Sequence, residues 1–224
     1  MSIYFRIDGP LESAIEAVIG ADRFAPYLTA AGNQSDALKL YSWNTALAAA
    51  FLGPISFVEV GLRNAISGQL RSAYGPAWYD DASFLGLDST PRTRDNVSAA
   101  KSRILRAVPA RPLTEGRIIA EMYLSFWTYL LRPALNRTLW PVLRPAFKKH
   151  AHRKTLVRYL EPLVPFRNRV AHHEPIFNHR PHEMYDNLLL VAEMLSPELP
   201  GWVEHHARVR SMLADGPVTP GVKF

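Results

Sequence analysis

The stretch Ser35–Tyr74 decides the fold, and it reads SDALKLYSWNTALAAAFLGPISFVEVGLRNAISGQLRSAY. Its apolar side chains recur at steps of three and four residues, which is the spacing of one face of an α-helix. The two halves of that face are Leu38, Tyr41, Thr45, Ala48 and Leu52, then Ile55, Val58, Leu62, Ile66 and Leu70. Because proline clashes with the preceding helical turn, Gly53-Pro54 predicts a break or a kink between two helices. Ser35 is the expected N-cap of the first helix, and Gly75-Pro76 predicts the end of the second.

The same helical spacing continues outward from this stretch. Thr114 is expected to cap a strongly apolar helix, GRIIAEMYLSFWTYLLR, over 116–132. Two more helices are expected over Arg153–Glu161 and Pro165–His173. No segment shows the sustained alternation that is typical of a half-buried strand. The sequence therefore predicts an all-α fold, a helical bundle of about eight to ten helices.

Length and composition indicate a globular chain. The 224 residues allow one large domain or two small ones, and the hydrophobic share of 48% is ordinary for a protein with a packed core. We expect an N-terminal helical extension over 1–34, a helical domain over 35–214 and a flexible tail over 215–224. Because the chain has no cysteine, disulfides, cysteine-ligated metals and cysteine nucleophiles are excluded.

The sequence lacks the patterns of export and of membrane insertion. Its first residues, MSIYFRIDGPLES, show no basic region followed by an apolar one, so no signal peptide is expected. The longest apolar run, around 45–60, is interrupted by Gly53-Pro54 and contains Glu59, which makes it too short to span a bilayer. We therefore expect a cytoplasmic protein without membrane association.

Positive charge is concentrated in one part of the chain. The stretch Lys101–Arg180 holds 16 basic and 4 acidic residues, whereas the rest of the chain holds 10 basic and 16 acidic ones. A basic segment in an otherwise acidic protein favours a polyanionic partner, and RNA or another nucleic acid is the leading candidate. The alternative is a solvated face that balances acidic neighbours.

The segment Pro165–Pro175, PFRNRVAHHEP, carries the candidate chemistry. A proline suits the first turn of a helix, and a later proline restricts the residue before it, so this helix is expected to end near His173. His172 then lies at a helix C-terminus, where free carbonyl groups favour a positive charge. A histidine that changes protonation near neutral pH can act as both general base and general acid.

Helical geometry places the polar neighbours of His172. Asn168 precedes it by four residues and shares its face, whereas Arg167 precedes it by five and lies about 140° round the helix. Arg167 can reach the same volume only through its long side chain or across an interface to a second copy. RNA cleavage without a metal requires a histidine that moves the 2′-hydroxyl proton and a guanidinium that stabilises the phosphate charge.

At these residues the sequence resembles a known family. Arg167 and His172 match the R-x4–6-H motif of HEPN ribonucleases, and the wider string FRNRVAHHEPI resembles the Abi-like (abortive infection) branch of that superfamily. Three other stretches resemble the same branch: VEVGLRNA at 58–65, YGPAW at 74–78 and AEMYLSFW at 120–127. The resemblance implies a HEPN-like α-helical bundle and a metal-independent endoribonuclease that cuts RNA by 2′-OH attack, in phage defence or as a toxin.

The resemblance also implies a partner arrangement and a set of site residues. It implies a homodimer with a composite active site, an antitoxin or sensor as a possible further partner, and no cofactor. Carried over by position, Arg167 and His172 are the catalytic pair, and Asn168 orients the site. Four further residues are expected to bind substrate, namely Arg169, His173, Lys148 and Lys149.

Several of these residues have simpler interpretations. His173 and Glu174 could instead orient the turn, and the basic residues near Lys148 could simply be solvated. The histidine-rich segment 172–182 lacks cysteine and clustered carboxylates, so no metal site is expected there. Glu121 lies in an apolar helix, where a carboxylate needs a partner such as an arginine. Glu59, Arg63 and Asn64 could contribute to the site, but Glu59 and Arg63 are also an i,i+4 pair, which alone would explain them and favours a structural role.

Two other functions remain open at the level of sequence. The same fold could be a non-catalytic module that binds RNA or a nucleotide, with an affinity that falls steeply as salt rises. A purely structural helical protein would show no affinity for RNA at all.

Overall fold

The computed structural model describes residues 9–109, 111–148 and 150–217. Over these ranges the chain contains helices and no strand, which confirms the predicted all-α fold. The α-helices are α1 (Gly9–Ile19), α2 (Ala21–Ala31), α3 (Gln34–Tyr74), α4 (Ala82–Leu85), α5 (Arg92–Leu105), α6 (Glu115–Glu121), α7 (Leu124–Tyr129), α8 (Trp140–Leu143), α9 (Arg153–Ala171), α10 (Pro181–Leu195), α11 (Leu199–His206) and α12 (Val209–Asp215). Short 3-10 helices occupy Trp78–Asp80, Pro133–Leu135 and Arg144–Ala146. The described part of the chain thus has more helices than expected, because several are too short to show a periodic pattern.

The break expected at Gly53-Pro54 is wrong, because α3 continues through Pro54 to Tyr74. Pro54 is itself buried between Phe51 and Ile55, which are also buried. Burial of a long apolar face outweighs the single backbone hydrogen bond that the proline removes. In length and hydropathy α3 could also cross a membrane, but half of the relevant window is buried inside the protein, and a core helix passes the same test.

The helices expected over Arg153–Glu161 and Pro165–His173 are one continuous helix, α9, which ends at Ala171. Two prolines, Pro162 and Pro165, lie inside it. Five of its apolar side chains keep helical spacing through both prolines and are buried: Leu156, Leu160, Leu163, Phe166 and Val170. That unbroken stripe explains why neither proline ends the helix.

The single helix expected over 116–132 is divided into α6 and α7. Met122 and Tyr123 between them have extended backbone, with φ and ψ of −84° and 126° at Met122 and −75° and 159° at Tyr123. Arg103 on α5 donates to the Glu121 carboxylate at 2.7 Å and to its main-chain carbonyl at 2.6 Å, which provides a donor where the break removes one. The expected arginine partner of Glu121 is thereby confirmed. Thr114 precedes α6 at the N-cap, and its side chain forms no capping bond.

The chain divides into two compact units. Unit 1 consists of Met1–Ile55, Pro165–Asp186 and Val203–Phe224, and unit 2 consists of Ser56–Val164 and Asn187–Trp202. In unit 1, the ring of Phe51 packs edge-on against the rings of Phe166 and Tyr185, with centroid distances of 4.8 Å and 6.1 Å. In unit 2, Trp78 packs against Phe84 at 5.5 Å and Trp127 at 6.3 Å. Most of the expected tail, 218–224, lies outside the described residues.

Asp88 is the polar centre of unit 2. Its buried carboxylate accepts hydrogen bonds from the hydroxyls of Tyr129 at 2.7 Å and Thr93 at 3.0 Å and from the Thr90 amide at 3.0 Å. Arg132 forms an ion pair with the same carboxylate. Burial alone would raise the pKa of Asp88, but the hydrogen bonds from Tyr129, Thr90 and Thr93 outweigh it and hold that pKa well below its ordinary value.

Candidate active site

The last two turns of α9 place the motif residues by simple helical geometry. Phe166 and Val170 are four residues apart and both are buried in unit 1. Successive residues turn by about 100°, so Asn168 falls opposite this buried face, whereas Arg167 and Arg169 fall on its two flanks. The structure agrees, since Asn168 is exposed and both arginines are half-buried.

The chain leaves α9 through a terminal turn, which we define as Val170–Glu174. The His172 amide donates to the Asn168 carbonyl at 2.9 Å, so helical spacing extends to His172. His173 then takes a left-handed conformation, with φ of 56°. The amides of His173 and Glu174 donate back to the carbonyls of Val170 at 3.3 Å and Arg169 at 2.9 Å. These two bonds form a Schellman-type cap, which leaves both His172 and His173 exposed.

An arginine from the N-terminal part of unit 1 completes this cap. Nη1 of Arg23, on α2, donates to the main-chain carbonyl of His173 at 2.9 Å and to that of His172 at 3.4 Å. Both carbonyls lie beyond the last helical turn, where the helix itself supplies no donor. A cation at a helix C-terminus is also favoured by the helix dipole.

An ion pair links Arg169, in the last turn of α9, to Glu174 at the end of the terminal turn. Nη1 of Arg169 donates to Oε2 of Glu174 at 3.0 Å, with both side chains partly exposed. His179 lies close enough to Arg169 and Glu174 for both charges to act on its pKa. Burial is the main reason that the pKa of His179 is lowered; Arg169 lowers it further and Glu174 acts in the opposite direction. Glu174 therefore fixes the turn through Arg169, in line with the orienting role considered for it.

The segment after the turn is fixed by a buried asparagine on α3. The side chain of Asn44 accepts hydrogen bonds from the amides of Ile176 at 2.8 Å and Phe177 at 3.1 Å. Its amide group donates to the Tyr27 hydroxyl at 2.9 Å. Burial raises the pKa of Tyr27 to about 12, and Tyr41 adds to the effect. Asn44, which is 3% exposed, thus joins α2, α3 and the segment that follows His172.

The expected substrate-binding residues are divided between the units. Arg169 and His173 belong to unit 1, together with Arg167, Asn168 and His172. Lys148 is an exposed residue of unit 2, where its main-chain amide donates to the Met194 carbonyl at 2.9 Å. Lys149 lies outside the described residues.

Sequence reasoning missed Arg23 and Asn44. For Asn44 there is a signal, because it is a polar residue within the apolar run WNTALAAAF (43–51). Such a residue at a buried position requires hydrogen-bond partners. For Arg23 no local pattern exists, since its acceptors follow about 150 residues later.

The end of α9 and the terminal turn together offer two chemical functions. The imidazole of His172 can accept and return a proton, and the guanidinium of Arg167 can donate to phosphate oxygens. Among residues 9–109, 111–148 and 150–217, no three histidine, cysteine, aspartate or glutamate side chains cluster closely enough to hold a metal ion. The site is therefore built from an exposed histidine and asparagine flanked by half-buried arginines.

Fold and site together define an all-α protein with an R-x4-H motif at an exposed helix end. A protein-family model described as Abi-like protein matches residues 4–178, more than three quarters of the chain, and this range includes the whole motif and the turn after it. The chain belongs to the Abi-like family. No curated protein and no solved structure matches it.

Proposed function

We propose that the protein is a metal-independent endoribonuclease of the HEPN type that acts in abortive infection or as a toxin. The observation that carries the proposal is the exposed C-terminal end of α9, where Asn168 and His172 share one face and Arg167 lies on the flank of the helix. Membership of the Abi-like family supports an abortive-infection role. A motif sealed inside the core could not have met an RNA strand.

The proposed reaction is an internal transesterification of RNA. His172 accepts the proton of a 2′-hydroxyl, and that oxygen attacks the adjacent phosphorus. Arg167 stabilises the added negative charge on the phosphate oxygens as the bond to the 5′ oxygen breaks. The leaving oxygen takes a proton, and the products carry a 2′,3′-cyclic phosphate and a 5′-hydroxyl. Asn168 orients the phosphate beside His172.

A homodimer would bring an arginine and a histidine together at one phosphate. Arg167 and His172 lie about 140° apart around the helix, so a two-fold axis that brings two motifs together would pair the arginine of one with the histidine of the other. The second histidine could protonate the leaving oxygen. Two arginines and two histidines at one place repel one another, and an RNA phosphate between them would relieve that repulsion.

End-labelled RNA and the purified protein test the proposal. We expect 2′,3′-cyclic phosphate ends from the wild type, with or without EDTA. Arg167→Ala and His172→Ala should each lower the cleavage rate by at least about a thousandfold, since each removes a group needed at the reacting phosphate. Arg210→Ala and His205→Ala are the matched controls, because they remove an exposed arginine and an exposed histidine of unit 1 outside the motif. Undiminished cleavage by both motif variants would overturn the assignment.

The second candidate is an RNA-binding module without turnover, and the charge distribution favours it. Unit 2 contains 17 basic and 10 acidic residues, whereas unit 1 contains 9 and 10. A basic unit can hold RNA phosphates whether or not the motif cuts them, and its affinity would fall as salt rises. A shifted RNA band with no new ends, across several RNAs, would favour this module over the nuclease.

A further inference from the structure

Two main-chain carbonyls of the terminal turn, those of His172 and His173, accept hydrogen bonds from a donor outside α9. The Schellman-type cap satisfies the carbonyls of Arg169 and Val170, and the carbonyls of His172 and His173 come after them. Arg23 donates to both, at 3.4 and 2.9 Å. We propose that Arg23 is a positioning residue of the site, which holds the backbone that carries His172. This inference rests on the proposed ribonuclease function.

The turn has little rigidity of its own. His173 adopts a left-handed backbone that a side chain disfavours, and no glycine stands in the terminal turn to relieve it. A strained conformation persists only where its surroundings determine it. Arg23 supplies that constraint directly, through charge-assisted bonds to the two carbonyls that flank the strained residue.

The segment that follows the terminal turn is held by a residue other than Arg23. Asn44 binds the amides of Ile176 and Phe177, and it is buried, whereas Arg23 is exposed. Removing Arg23 therefore frees the backbone around His172 while the asparagine keeps the following segment in place. We expect a variant that folds and binds RNA but presents its imidazole poorly.

Arg23 is thus assigned to orientation rather than to RNA binding, and the two roles have different kinetic consequences. A positioning residue lowers kcat and leaves KM unchanged, because the displacement acts on the reacting group. An arginine that contacts an RNA phosphate raises KM and contributes to the salt dependence of binding. An exposed guanidinium could do either, so both parameters must be measured.

The experiment uses the full chain with Arg23→Ala, Arg23→Lys and Arg23→Gln, beside wild type and Arg210→Ala. Arg210 is a matched control because its ion pairs with Glu204 and Asp186 are also exposed and lie in unit 1. We expect Arg23→Ala to lower kcat by about 10- to 100-fold, with KM and the salt dependence unchanged. Lysine and glutamine each keep a donor and should restore part of kcat.

Backbone amide exchange provides a second readout that does not require cleavage. Exchange at His173 and Glu174, whose amides close the cap, should be faster in Arg23→Ala than in Arg210→Ala. If Arg23→Ala kept the wild-type kcat and unchanged amide exchange, the inference about Arg23 would fail while the proposed function would stand. A raised KM with unchanged kcat would have the same consequence. No cleavage by wild type would overturn the proposed function and, with it, the positioning role of Arg23 in catalysis, and the exchange result would then report only the contact between Arg23 and the turn.

Discussion

His173 occupies a backbone conformation that glycine adopts without strain. It follows the C-cap of α9 with φ of 56°, and glycine is the residue most often found at this position of a Schellman cap. His173→Gly should therefore stabilise the protein by about 1 kcal/mol. Urea unfolding of the variant and the wild type, followed by far-ultraviolet circular dichroism, measures the difference.

The neighbouring position provides the control for this prediction. His172 has no positive φ, so His172→Gly relieves no strain and only adds freedom to the unfolded chain. We expect this variant to be less stable than the wild type. Equal effects of glycine at the two positions would show that the left-handed turn stores no strain.

At the scale of single residues, the sequence predicts which side chains share a helix face, because that depends only on their spacing along the chain. The relation of Asn168 to His172 follows from a four-residue step, and the helical bond between their backbones preserves it. Arg23 could not be predicted, because its partners lie about 150 positions away and no pattern connects them. Asn44 was visible as an unusual polar residue, but its partners were not.

At the scale of elements, proline and apolar periodicity make opposite predictions, and periodicity prevails in both long helices. Pro54 in α3 is buried, and the helix that contains it keeps its apolar face throughout. Pro162 and Pro165 in α9 likewise interrupt the backbone bonds but not the buried stripe. Expected breaks at proline fail here because tertiary burial along a whole helix exceeds a local penalty.

The opposite error occurs between α6 and α7, where apolar periodicity predicts one continuous helix and the structure has a break. Their combined sequence has an apolar face over 116–132, yet the backbone is extended at Met122 and Tyr123. Met122 is buried there, and Arg103 bonds the Glu121 carbonyl. Arg103 comes 18 positions before Glu121, so no periodic pattern could reveal this contact at the break.

The cost of a proline inside α9 can be measured at Pro165. It is exposed, and it lacks the amide that would donate to the Glu161 carbonyl one turn earlier. Pro165→Ala should stabilise the protein by about 1 to 3 kcal/mol in urea unfolding. Pro91→Ala is the control, because Pro91 is exposed at the N-cap of α5, where no helical donor is lost. A gain no larger than that of the control would show that α9 accommodates its proline without loss.

At the scale of the whole molecule, each unit has a buried polar centre of a different kind. Asn44 in unit 1 is neutral, whereas Asp88 in unit 2 is a carboxylate whose pKa is held well below its ordinary value of 3.8. Such a group stabilises the fold fully above the unfolded pKa, and the stabilisation is lost as the pH falls toward the folded pKa. The stability of unit 2 should therefore decline in acid for a reason that does not apply to Asn44.

Asp88→Asn tests this contribution. At neutral pH the variant should be less stable than the wild type, because it loses the ion pair with Arg132. The gap should narrow once the pH falls below about 4, because the unfolded chain then takes up a proton at Asp88 while the folded carboxylate stays charged, and it should close only toward the much lower folded pKa. Tryptophan fluorescence during urea unfolding is a suitable measurement, because four of the five tryptophans lie in unit 2: Trp78, Trp127, Trp140 and Trp202. Asp95→Asn, which removes an exposed carboxylate from the first turn of α5, is the control. A gap between wild type and Asp88→Asn that stays constant from neutral pH to pH about 3 would mean that the Asp88 carboxylate does not carry the acid sensitivity of unit 2.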